Sequence, residues 1–205
     1  NGNLEWKGFN GSLLPVGKQF VFHYWQGGNP AIPAWEKTSV SNNMQVFAYD
    51  VATGNVNWKY EEECLPGTRG PGLVTSNALP LTFRGQACVV VHGNRQWKIL
   101  KQSDGQQVWS WECAGPMEAP AWASGGLRPV GPNLYLDHLN GWQLSLVECD
   151  FTQEEPKPKV HWIKNEIHEA VTPPVIVDGH LYGFWIDDRN VRCQFVICKW
   201  IFRIV

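Results

Sequence analysis

Six histidines (His23, His92, His138, His161, His168, His180) and six cysteines (Cys64, Cys88, Cys113, Cys149, Cys193, Cys198) are the side chains of this 205-residue chain with the widest chemical range. A histidine can act as a base or a metal ligand, but paired work on one element needs a fixed spacing, and no HxxxH or HExxH pattern occurs. His92 and His138 each close the second apolar strand of a repeat, which puts them on one surface, and they read as polar strand-end residues before they read as a metal site. The cysteines form no CxxC pair and share no spacing with histidine that would make a zinc site. They read as buried or half-buried thiols, with disulfides in an envelope or secreted setting as the alternative. The carboxylates cluster in Glu61-Glu62-Glu63, Glu154-Glu155 and Asp187-Asp188, beside strand ends or in loops, where solvated faces account for them. Gly67-Thr68-Arg69-Gly70-Pro71-Gly72 lacks the Lys-Ser/Thr of a phosphate loop, and neither a GxSxG elbow nor a dinucleotide fingerprint is present. The sequence therefore assigns no catalytic, cofactor-binding or metal residue.

Composition narrows the classes. Charged residues make up only 18% and the formal net charge is -2, so there is no basic footprint for nucleic acid or an anionic membrane. With 43% hydrophobic residues the chain can bury a core, and generic disorder is excluded. No apolar run approaches the ~20 residues of a membrane-spanning helix. Twelve tryptophans with 20 glycines and 14 prolines point to short strands joined by tight turns.

The elements that would position any site are visible as a repeat. Asn1-Gly2-Asn3-Leu4-Glu5-Trp6 is followed by Thr53-Gly54-Asn55-Val56-Asn57-Trp58, then Asp104-Gly105-Gln106-Gln107-Val108-Trp109, then a degenerate Lys157-Pro158-Lys159-Val160-His161-Trp162. Glycine precedes tryptophan by four residues in the first three copies, and the tryptophans step by 52, 51 and 53 residues. A second landmark is a turn glycine followed by an apolar strand, at Gly17, Gly85, Gly131 and Gly179, with Pro15, Pro80, Pro129 and Pro173-Pro174 upstream. No stretch has a sustained helical period with caps. Four short antiparallel strands per ~50 residues predict the blades of a β-propeller, an all-β fold. The repeats run approximately 1–10, 11–63, 64–113, 114–166 and 167–205, so about four blades of a partial propeller form one domain. An indole buries a large area and carries one N–H, so Trp6, Trp58, Trp109 and Trp162, with Gly54 and Gly105, read as structural wedges between blades rather than as ligand platforms.

The segment Val46-Phe47-Ala48-Tyr49-Asp50-Val51-Ala52-Thr53-Gly54-Asn55-Val56-Asn57-Trp58 resembles the tryptophan-docking repeat of the pyrroloquinoline-quinone-like propellers, the quinoprotein alcohol dehydrogenase-like and BamB-like group. The resemblance extends over about residues 1 to 193. It implies a complete ring of seven or eight blades, a bacterial cell-envelope or periplasmic location, and either a binding scaffold or a dehydrogenase. The dehydrogenases of that group carry a calcium-bound quinone beneath an adjacent cysteine pair, and this chain has no such pair. The resemblance therefore favours a non-catalytic binding or assembly scaffold with a protein partner and no cofactor. The alternative is a fragment of a quinone- and calcium-dependent alcohol or sugar dehydrogenase whose catalytic residues lie outside this chain.

Propeller ligands meet the loops at one end of the blades. The candidates are Arg69, Glu118, His168 and Glu169 in the segments between blades, and Trp35 in an insertion that stretches the Gly17-to-Trp58 distance to 41 residues, against 24 from Gly85 to Trp109. Four blades leave edges open, so self-association through them is expected. Residues 194–205 run as apolar sequence where a Thr-Gly type turn is expected, as a frameshifted or truncated tail would.

Overall fold

A computed structural model describes residues 14–26, 43–63, 78–93, 96–112, 127–138, 143–165, 175–177, 180–187 and 192–199. Every regular element among them is a β-strand. The first sheet joins β1 (Leu14–Val16), β2 (Gln19–Gln26), β3 (Asn43–Asp50) and β4 (Val56–Glu63) in chain order. The second joins β5 (Leu79–Phe83), β6 (Gln86–Gly93), β7 (Gln96–Lys101) and β8 (Gln107–Glu112). The third joins β9 (Leu127–Gly131), β10 (Leu134–His138), β11 (Gln143–Glu148) and β12 (Lys159–Asn165). A fourth has three described strands, β13 (Val175–Val177), β14 (His180–Asp187) and β15 (Arg192–Lys199). All pairings are antiparallel.

These meanders pack face to face. Val21, Met44, Val46, Ala48 and Trp58 of the first sheet share a core with Ala78, Val89, Val91 and Leu100 of the second. Cys88, Val90, Trp97 and Ile99 of the second share another with Leu127, Val147, Cys149 and Phe151 of the third. The sheets are therefore successive blades of a partial β-propeller. Alternation along β7 serves both seams: Lys98 and Leu100 face the first blade, Trp97 and Ile99 the third.

Local chemistry explains the strand ends. Pro15, Pro80 and Pro129 stand in β1, β5 and β9, which are edge strands where a missing N–H costs no ladder bond. The hairpin after β1 turns on Gly17 (φ 60) and the one after β5 on Arg84 and Gly85 (φ 49 and 73). The third blade departs from expectation: Gly131 is the last residue of β9, and Asn133 (φ 56) supplies the left-handed residue. Asparagine tolerates that region because its short amide can bond locally.

The turns after β3 and β7 are the same structure twice. Asp50 N–H donates to Asn55 O and Gly54 N–H to Asp50 O; Lys101 N–H donates to Gln106 O and Gly105 N–H to Lys101 O. In each of the three complete sheets the last strand pair then slips by one residue, leaving Asn57, Val108 or His161 as a bulge. The next residue is Trp58, Trp109 or Trp162, set opposite Ala48, Ile99 or Leu146. A bulge sharpens the local twist of its strand, and Trp58 and Trp109 pack there against the following blade.

Candidate functional site

The seam between the first two blades is built from Trp58 outward. Its ring is 6% exposed and its Nε1–H donates to Gln102 O at 2.8 Å. A Cβ on Gly105 (φ 74) would lie 2.5 Å from Trp58 Cε3, so the indole rests directly on the glycine. Gln102 Nε2 in turn donates to Val16 O at 3.0 Å, reaching back to the innermost strand of the first blade. These contacts tie the turn ends of the two blades.

A polar cluster extends the tie along the strands, away from the turns. Lys98, 1% exposed in β7, forms an ion pair with Glu62 of β4. The Tyr60 hydroxyl lies 2.7 Å from Glu62 Oε2 and 2.8 Å from Gln107 Oε1. Burial, and then the Glu62 carboxylate, push the Tyr60 phenol well above its ordinary range, so it stays a protonated donor. Glu61 sits on the other face of β4, where it accepts from Gln45 Nε2 at 2.6 Å and pairs with Lys59. The Glu61-Glu62-Glu63 run is thus corrected: Glu62 is not a solvated carboxylate but the counter-charge of a buried lysine.

The second seam is aromatic. Trp97 is fully buried and meets Trp111, Tyr135 and Phe151 at ring-centroid distances of 5.1, 5.6 and 6.2 Å. Trp109 meets Phe151 edge-on at 5.8 Å. Phe151 lies in the turn after β11 and offers Trp109 an aromatic edge where Gly105 offers Trp58 a bare backbone. Cys88 and Cys149 are buried free thiols in this core. Burial, with the Asp150 charge second, pushes the Cys149 thiol up to about 12, and burial also raises Cys88. Both are held as unreactive thiols.

His23, His92 and His138 share one register position, opposite Val46, Trp97 and Leu144 in their respective blades. His92, next to last in β6, is a strand-end residue as expected, and it is buried. Among the described residues no group of three or more His, Cys, Asp or Glu converges on a metal position. At the turn end a cleft of about 630 Å³ opens between Lys18, Gln19, Gln86, Lys101 and Ser103, carrying two ammonium groups. No helix among the described residues is long and apolar enough to cross a membrane.

Of the residues singled out by sequence, Gly54 is exposed, Trp58 and Gly105 are buried, and Trp109 and Trp162 are half-buried. Trp6, Trp35, Arg69, Glu118, His168 and Glu169 lie outside the described residues. The strand ends that flank Trp35, at Gln26 and Asn43, and the end of β4 at Glu63, before Arg69, are at one end of the first blade, because Asn43 pairs with both Gln26 and Glu63. In the second blade Gln96 pairs with Glu112, the strand end that precedes Glu118. Lys98, Gln102, Trp97 and Phe151 were not singled out by sequence. The wide spacing that marks Trp58 does not mark them, and a lone lysine in a strand carries no signal of burial.

No protein-family profile matches the chain, and no curated protein matches it. Among solved structures it is similar to BamB from Moraxella catarrhalis, at 14% identity and a TM-score of 0.47, over 93% of this chain and 53% of that one. It is also similar to the Cps50 (Swd1) β-propeller domain of Myceliophteria thermophila, at 15% identity and a TM-score of 0.44, over 90% of this chain and 52% of that one. The chain spans about half the length of each.

Proposed function

We propose that this chain is a non-catalytic propeller scaffold that binds a protein partner through the blade end where the long connecting segments begin. The observation behind this reading is the double tie between the first two blades, Trp58 on Gly105 at the turn and Lys98 with Glu62 farther along the strands. Two blades tied at two points along their seam form a rigid platform on which recognition segments can be carried. Trp35, Arg69, Glu118, His168 and Glu169 are the proposed contact residues, with Trp35 as an aromatic anchor. A bacterial envelope location follows from the sequence resemblance and is part of the same proposal, as is the lack of a bound cofactor.

Photocrosslinking in the source cells tests the reading. A photoreactive residue at position 35 or 118 is expected to capture a discrete protein adduct, while one at Gln86, at the turn end, captures none. Equal capture at all three positions overturns it. Incubation with pyrroloquinoline quinone and calcium tests the enzymatic alternative: dye-linked oxidation of an alcohol or sugar would replace the scaffold reading with a dehydrogenase.

A further inference from the structure

The two seams differ in chemistry at the turn end. In the first, a cleft of about 630 Å³ carries Lys18 and Gln19 of the first blade and Gln86, Lys101, Gln102 and Ser103 of the second. Register gives Lys18, Gln19, Lys101 and Gln102 the counterparts Ala87, Cys88, Glu148 and Cys149 at the second seam. There both cysteines are buried in the shared core, and a methyl group and a carboxylate stand in the places of the two ammonium groups. Stacking one blade on the next is the same task at both seams. It does not require two cations and several amides at one of them.

The lining selects an anion that also carries hydroxyl groups. No carboxylate lines the cleft, and each blade contributes one ammonium group to it. Lys101 Nζ donates to Gln106 Oε1 at 2.7 Å and Gln102 Nε2 to Val16 O at 3.0 Å, so part of the lining is fixed before a ligand arrives. Lys18 acts on the Asp50 carboxylate through space, while Asp50 takes its hydrogen bonds from Ala52 and Thr53. Gln19 Oε1 is buried and accepts no hydrogen bond from any described residue, the two ammonium groups included. A buried carbonyl oxygen without a donor is costly, so the group that satisfies it has to bring a hydrogen. We propose that the cleft binds a hexose-sized anion, a sugar phosphate or a sugar acid, with its charged group between Lys18 and Lys101 and one of its hydroxyls donating to Gln19 Oε1. Ammonium-to-oxyanion bonds are charge-assisted, and the volume lies within the range of small-molecule sites, about 300–1,000 Å³. A bare inorganic anion would leave both the space and the Gln19 acceptor unused. The site is at the turn end, away from the segments proposed to bind a protein, and stands independently of them.

Isothermal titration calorimetry on the full chain tests the site with glucose 6-phosphate, glucuronate, glucose and inorganic phosphate. At least one of the two charged sugars is expected to bind, and the tighter of them tells whether the lysines hold a phosphate or a carboxylate. Glucose and inorganic phosphate each lack half of the recognised chemistry and are expected to bind about tenfold more weakly or less. Lys18→Ala combined with Lys101→Ala, and separately Gln19→Leu, are each expected to weaken the charged sugar about tenfold. Lys59→Ala, which removes an ammonium paired with Glu61 on the other face of the first blade, is expected to leave binding unchanged. Absence of binding by both charged sugars at about 10 mM overturns the proposal. So does inorganic phosphate binding as tightly as glucose 6-phosphate, or a loss in Lys59→Ala equal to that in the double lysine variant, which would reduce the effect to general surface charge. Should the cleft variants not fold, the side-chain amide resonance of Gln19 in the unaltered chain decides. Its movement on addition of a charged sugar but not of glucose supports the site, and a stationary resonance overturns it.

Discussion

Trp58 and Gly105 are in direct contact across two blades, with the indole so close that no side chain fits between them. Gly105→Ala therefore combines a left-handed backbone penalty with a steric clash and is expected to cost about 2–4 kcal/mol. Gly85→Ala has the same backbone handedness and open space, so it is expected to cost only about 1–2 kcal/mol. Urea denaturation of the two variants measures the difference, which belongs to the indole. Equal losses would show that backbone strain alone holds Gly105 as glycine.

Removing Lys98 takes from Glu62 the buried ammonium it pairs with. Loss of one partner from a buried pair costs about 3–5 kcal/mol, and Glu62 keeps 22% exposure, so Lys98→Met is expected near the lower end, about 3 kcal/mol. Adding Glu62→Gln removes the stranded charge and is expected to restore more than half of that loss. Additive losses in the double variant, read from denaturation midpoints and slopes, would mean that the pair is not coupled.

Cys149, with its thiol pushed up to about 12, holds almost no thiolate at pH 8. Under native conditions at that pH iodoacetamide is expected to leave Cys88 and Cys149 unmodified while urea-unfolded chain reacts at both, as peptide mass spectrometry would show. Rapid native labelling of either residue would place it at an opened seam.

Asp50 accepts the backbone and hydroxyl hydrogens of Thr53 and the backbone N–H of Ala52, and these bonds hold its carboxyl below the ordinary value of 3.8. A carboxylate with a depressed folded value binds fewer protons when folded than when unfolded. Its stabilising contribution is therefore complete only above about pH 5, well clear of the ordinary value, and is lost as the pH falls from there through the depressed value. Asp50→Asn is expected to flatten the acid limb of a plot of unfolding midpoint against pH and to leave the neutral region little changed in slope. An unchanged acid limb would exclude Asp50 from the acid response.

The blade unit was legible because its signals are local: turn residues, edge prolines and alternating apolar strands at a fixed period. The partners of those signals were not. Trp58 donates to Gln102 through a backbone carbonyl, which every residue possesses, so no sequence pattern announces it. Lys98 stands in an apolar strand as a single charge, and its burial depends on Glu62 arriving from another sheet. Trp97 and Trp111 lie outside the glycine-marked spacing, yet Trp97 is the most enclosed indole of the second seam. Asn133 took over the left-handed position expected near Gly131 because either residue type satisfies the backbone there. The candidate loop residues were chosen by position between repeats alone, a signal that carries no information about what a side chain touches.

The one-residue slip ahead of Trp58, Trp109 and Trp162 has a geometric consequence. Deleting Asn57, Val108 or His161 would erase the slip while leaving each indole opposite the same partner, so what would be lost is the extra local twist that the inserted residue gives its strand. The angle at which one blade meets the next is therefore set partly by a single extra residue in each outermost strand, and a change of length there acts on the seam itself.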